Sequence, residues 1–208
     1  MMILASALFY FFISVDQKLV AIEGAILFVF LILFIVFLIK FQKRAVLDEA
    51  PEDDKALPIK KTLSYLLLGG FSLWLGSETL IKGAVNLAQN MGVSERIISV
   101  SIVSLGTSIP ELSASIIAII NKEKAISLGN LVGSNIFNLM AVLGITSMIH
   151  PLTVGDPGLL SNDIWWMLGI SFLILPLVFF PKGSRLGWRD GLVLCLLYGI
   201  FIFPLFFK

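Results

Sequence analysis

Glu111 sits in the stretch Ser104-Leu-Gly-Thr-Ser-Ile-Pro-Glu-Leu112, near the middle of an otherwise apolar run. An ionised side chain at the centre of a membrane helix costs on the order of 3 kcal/mol and persists where it meets a cation, a proton or water. Thr107 and Ser108 precede it by four and three residues. On a continuous helix both hydroxyls would share its face. Pro110 has no N–H to offer the carbonyl of Gly106, and its ring strains the helix there. A carboxylate, two hydroxyls and a freed carbonyl make a set of hard oxygen ligands of the kind that Na⁺ and Ca²⁺ take. The plainer reading is a Pro-kinked helix whose hydroxyls bond back to the backbone and whose Glu bonds a neighbour.

A second polar face lies in Gly129-Asn-Leu-Val-Gly-Ser-Asn-Ile-Phe-Asn138. Ser134 and Asn138 are four apart and align, and Asn130 and Asn135 add amide oxygens. Gly129 and Gly133 form a small-xxx-small surface that admits another helix, so simple packing also explains this stretch. Glu78 has Lys82 four residues on, and the spacing predicts an ion pair in preference to direct ion ligation. The one cysteine, Cys195, lies in an apolar run and reads as filler, and the one histidine, His150, precedes Pro151 at a segment end. No nucleophile–base pair, haem-ligand pair or close intramembrane carboxylate pair stands out, so neither enzymatic chemistry nor a cofactor is expected.

The elements that must hold these residues follow from composition. The chain is 58% hydrophobic and 14% charged, against about 25% charged in soluble domains, so lipid must be much of its solvent. The net charge of +1 carries no indication of nucleic acid. Six apolar segments, roughly 20–41, 62–89, 97–120, 125–150, 163–181 and 188–207, are each long enough to cross a bilayer. They lack strand alternation, which leaves helices as the way to satisfy the backbone in lipid. The apolar start, 1–14, is shorter than a crossing and lacks a signal peptide's basic flank. The fold class expected is all-α: a bundle of six transmembrane helices plus a partial N-terminal one.

A polar linker, 42–61, carries the acidic run Asp48, Glu49, Glu52, Asp53 and Asp54, which reads as a solvated loop. Lys40, Lys43, Arg44, Lys55, Lys60 and Lys61 flank or occupy it. Lys122 with Lys124, and Lys182 with Arg185 and Arg189, follow at two-helix intervals, leaving Lys18, Arg96 and Lys208 opposite. The positive-inside rule then puts the linker in the cytoplasm and the C-terminus outside. Trp165, Trp166 and Trp188 fall near helix ends, as an interfacial belt would place them. A weak internal repeat pairs residues 19–27 with 186–194, both with an acid-Gly step, at Glu23-Gly24 and Asp190-Gly191. The copies are five helices apart, so the second would be inverted, an arrangement common in secondary transporters.

The motifs at 106–111 and 129–138, with Gly-Ser-Glu-Thr-Leu-Ile-Lys-Gly-Ala-Val-Asn-Leu-Ala at 76–88 and the trailing 142–146 and 150–152, resemble the alpha repeat of the sodium/calcium exchanger family, within the cation/Ca²⁺ exchanger superfamily. The resemblance implies ten helices in two inverted halves, each with one alpha repeat, and ion sites with ligands from both. It implies Thr107, Ser108 and Glu111 as ligands on one helix, Ser134 and Asn138 on the next, and Ser104 through its carbonyl. One alpha repeat is present, at about 76–152, so half of the site needs another source. Asn138 stands where second repeats of calcium exchangers often carry Asp, which lowers the site's negative charge.

The expected organisation is 1–41 as the end of a first half, 42–61 as linker and 62–208 as the exchanger membrane domain. The expected function is secondary active cation antiport, foremost Na⁺/Ca²⁺ exchange, by a half-length chain that needs a second half or second copy. H⁺-coupled exchange and a non-transporting membrane subunit are the rival readings. The expected setting is the cell membrane, with lipid and Ca²⁺, Na⁺ or H⁺ as partners and no nucleic acid.

Overall fold

The structure, a computed structural model, describes residues 1–41, 57–179 and 187–206. The linker's acidic run, Lys43, Arg44, Lys55, Lys182, Arg185 and Lys208 lie outside the described residues. The chain is an all-α membrane protein. Among the described residues four helical stretches are long and apolar enough to cross a bilayer: Ala21–Phe41, Ile126–Ile149, Leu159–Val178 and Trp188–Leu205. The bent pair Glu95–Thr107 and Ile109–Ile120 makes a fifth if it counts as one span. The segment expected at 62–89 is a 32-residue helix. Its Gly, Ser and Thr residues, with Glu78 and Lys82, dilute its apolar character, and it is not among the five.

The described residues fall into two units. The first holds 1–41, 128–179 and 187–191. Helix α1 (Met2–Asp16) is too short to cross and ends where Gln17 takes a left-handed φ of 59°. Strand β1 (Lys18–Leu19) follows and pairs antiparallel with β2 (Leu152–Thr153), Lys18 opposite Thr153 and Leu19 opposite Leu152. Helix α2 (Ala21–Phe41) is apolar on every side, as a lipid-facing helix is. Glu23 caps its start by accepting from the Val20 N–H at 2.9 Å.

Gly24 lets α2 press onto the Gly144–Ser147 turn of the helix opposite. A Cβ on Gly144 would stand 2.9 Å from the Gly24 carbonyl, so neither position has room for a side chain. That opposite helix is the 128–149 stretch. It is followed by helix α7 (Ile164–Phe179), which opens with Trp165 and Trp166. Two apolar cores hold the unit. Met2, Ala5, Leu31, Ile136, Met140 and Ala141 form one. Ile13, Leu19, Leu27 and Ile164 form the other.

The second unit holds 57–127 and 192–206. Its spine is α3 (Ile59–Asn90). Helix α4 (Glu95–Thr107) and helix α5 (Ile109–Ile120) pack on it, joined at a 40° bend. Ser94 caps α4 through the Ile97 N–H at 3.4 Å. Within α4, Ile98–Val103 widens into a π-helical stretch that ends directly before Ser104. Helix α6 begins at Lys124. Helix α8 (Trp188–Ile202) reaches α4 where Tyr198 donates to the Val100 carbonyl at 3.5 Å.

Candidate cation site

The apolar run 97–120 is not one helix. Pro110 falls in the first turn of α5, where its missing N–H costs nothing. Ser108 forms the joint, with φ −90° and ψ 0° in the sparsely populated bridge region. Glu111 therefore lies in the first turn of a helix and not, as expected, in the middle of one. That position favours negative charge, because the unpaired N–H groups of a helix start point toward it. Glu111 is half-buried, and its Oε2 is shut off from solvent.

The hydroxyls converge on one backbone oxygen. The Ser104 carbonyl accepts from Thr107 Oγ1 at 3.1 Å and from Ser108 Oγ at 3.0 Å. Thr107 Oγ1 also reaches the Val103 carbonyl at 3.0 Å, and Ser104 Oγ donates to the Val100 carbonyl. The back-bonded pattern of the plainer reading is thus present. It leaves the hydroxyl oxygens of Thr107 and Ser108 able to ligate, while the Ser104 carbonyl must share its lone pairs with them. A hydroxyl that gives its hydrogen to a carbonyl keeps two lone pairs.

The expected free carbonyl at Gly106 is corrected by α3. Ser77 Oγ donates to it at 2.6 Å, and both residues are buried. A buried carbonyl deprived of its helix donor needs another partner, and Ser77 is that partner. One turn on, Ile81 packs so closely on Gly106 that a Cβ there would collide with it. A groove of about 420 Å³ runs beside this contact, lined by Ser77, Glu78, Ile81, Thr107 and Pro110 among others. Glu78, half-buried, pairs with the exposed Lys82 at 3.0 Å, as the i,i+4 spacing predicts. Among the described residues no group of three or more His, Cys, Asp and Glu could hold a metal.

Ser104, Thr107, Ser108 and Glu111 therefore share the second unit, on α4, the joint and α5. Ser134 and Asn138 belong to the first unit and stand on α6, whose Lys124–Phe137 stretch passes through π-helical Asn138–Val142 into Leu143–Ile149. Ser134 Oγ donates to the Leu131 carbonyl at 3.3 Å, and Asn135 Nδ2 reaches the same oxygen at 2.8 Å. Asn138 is exposed and opens the widened turn. Gly129 and Gly133 have no described atom near their Cβ positions. Sequence reasoning missed Ser77. Its only signal was a small polar residue in Gly76-Ser-Glu-Thr79, beside the more conspicuous Glu78.

Residues 61–207, a stretch that takes in every one of these side chains, match the sodium/calcium exchanger protein family. The chain belongs to that family. CaxA of Alkalimonas amylolytica, named as a candidate antiporter, is 33% identical to this exchanger-family chain over 210 residues, 95% of the chain and 64% of that protein. The sodium/calcium exchanger MaX1 of Methanosarcina acetivorans is 36% identical over 147 residues, 71% of the chain and 41% of that protein. The human sodium/potassium/calcium exchanger 1 is 28% identical over 124 residues, 57% of the chain and 11% of that protein. The chain thus spans less than two thirds of the length of these relatives. No solved structure matches it.

Proposed function

We propose that this exchanger-family chain supplies one set of ligands to a cation antiporter that exchanges Na⁺ for Ca²⁺. One observation carries the reading: the Glu111 carboxylate follows a proline break, directly after two hydroxyls gathered on one carbonyl. Oxygen ligands of this kind suit Na⁺ and Ca²⁺. The names of the Methanosarcina and human relatives support calcium as a cargo. Thr107, Ser108 and Glu111 ligate through side chains and Ser104 through its carbonyl, with Ser134 and Asn138 completing this chain's share. A second alpha repeat, from a partner, a second copy or a longer form of the protein, supplies the rest. Competition of Ca²⁺ and Na⁺ for one carboxylate couples their opposed fluxes. The protein lies in the cell membrane with α3 as a further crossing, the linker 42–61 cytoplasmic and the C-terminus outside.

The test is Ca²⁺ uptake by vesicles that carry the full-length form. A sodium gradient should drive it, a pH gradient should not, and Glu111→Gln should abolish it. Uptake driven by the pH gradient alone would replace Na⁺ by H⁺ as the coupling ion. Undiminished uptake in the Gln variant would remove Glu111 from the site.

A further inference from the structure

The feature that the proposed chemistry does not use is the hydroxyl of Ser77. It comes from α3, 29 residues before its acceptor in sequence, and it is 8% exposed. Its acceptor is the Gly106 carbonyl, which Pro110 leaves without a helix donor. Gly106 is two residues from Ser104 and one from Thr107, so it lies within the turn whose carbonyl gathers the hydroxyls. Ile81 fixes the same spot a second time, against the bare Cα of Gly106. Ser77 and Ile81 are four apart and share one face of α3. The break is therefore held from outside by a hydrogen bond and a close apolar contact.

We propose that Ser77 is a positioning residue for the cation site, acting through Gly106 to keep the Ser104–Glu111 turn in its binding geometry. This inference rests on the reading of Glu111 and its neighbours as cation ligands. Without the Ser77 hydroxyl the buried Gly106 carbonyl keeps only the contact from the Ser108 N–H two residues on, and an under-satisfied buried acceptor favours local rearrangement toward a new donor. The rearranged turn no longer presents the Ser104 carbonyl, the two hydroxyls and the carboxylate together. A cation then has to restore that geometry on binding, and its apparent affinity falls by the fraction of molecules that hold it.

The test is equilibrium binding of Ca²⁺ to the purified full-length protein in detergent, compared among the parent, Ser77→Ala, Ser77→Thr and Glu111→Gln. Affinity is read per folded molecule, with folding checked by size-exclusion profile. Ser77→Ala should weaken Ca²⁺ binding about tenfold, the cost of one lost buried hydrogen bond. Ser77→Thr keeps the hydroxyl and should stay within about threefold of the parent. Equal affinity in parent and Ser77→Ala would overturn the inference, as would equal weakening by Ala and Thr, which would point to shape and not to the hydrogen bond. A purely structural role would lower the yield of folded protein and leave the affinity unmoved. Glu111→Gln separates the two readings: if it binds like the parent, the cation site itself is wrong and this inference falls with it. If Glu111→Gln loses binding while Ser77→Ala does not, only the role of Ser77 fails.

Discussion

The hydroxyl of Thr107 donates to the carbonyl oxygen of Ser104 at 3.1 Å, closing the last turn of α4 on itself just before the chain bends. The hydroxyl's one hydrogen is shared between this oxygen and the Val103 carbonyl at 3.0 Å, which leaves the lone pairs of Oγ1 for a cation. Thr107→Val keeps the shape and removes the oxygen. It should lower Ca²⁺ affinity about tenfold, the scale of one lost polar partner at a charged group. Thr107→Ser keeps the oxygen and should stay close to the parent. Equilibrium Ca²⁺ binding to the two variants checks this, and an unaltered Val variant would take Thr107 out of the ligand set.

Pro110 follows the joint at Ser108, and on the proposed reading the cation ligands depend on that joint. Pro110→Ala returns an N–H that can bond the Gly106 carbonyl and lets α4 run on into α5. Thermal unfolding should show little change in stability, because a proline in the first turn of a helix costs almost nothing. Ca²⁺ affinity should fall by about tenfold or more as the turn straightens. Full affinity in a stable Ala variant would mean that the ligands do not depend on the bend.

Some of this was legible in the residues and some was not. The cost of a carboxylate in lipid singles out Glu111, and proline chemistry announces a break beside it. Reading 97–120 as one run nevertheless put Glu111 in mid-helix. Pro110 does more than kink a helix: it starts a new one, and Glu111 lands in its first turn. The partner of the Gly106 carbonyl lay beyond local reasoning, because it arrives from α3 through tertiary packing. The π-helical stretches at Ile98–Val103 and Asn138–Val142 were equally hidden, since a widened turn changes no composition.

The acid-Gly repeat illustrates a signal with a local cause. Asp190 accepts from the Gly187 N–H at 2.7 Å as Glu23 does from Val20, so each acid caps the start of its own helix. The glycines that follow have different surroundings. Gly24 is pressed against Ser147 and Gly144, whereas Gly191 has no described atom within 4 Å of its Cβ position.

Gly144 offers a test of how the first unit is held. Gly144→Ala would put a methyl 2.9 Å from the Gly24 carbonyl and 3.5 Å from Phe28 Cβ. Forcing α2 away in this manner should cost about 1–3 kcal/mol. Gly199→Ala, in α8 with no described atom near the new methyl, should be neutral or slightly stabilising. Thermal unfolding of the two variants in one detergent should show a lower midpoint for the first alone. Equal midpoints would mean that α2 does not depend on this close approach.

On the proposed reading, the Glu111 carboxylate binds the transported cation. Equilibrium Ca²⁺ binding to purified full-length protein, with and without competing Na⁺, addresses it directly. The parent should bind Ca²⁺ saturably and release it as Na⁺ is raised. Folded Glu111→Gln, which keeps the size and loses the charge, should bind at least about a hundredfold more weakly, the scale of a lost charged partner at about 1.4 kcal/mol per decade. Unchanged Ca²⁺ affinity in the folded Gln variant would contradict the account.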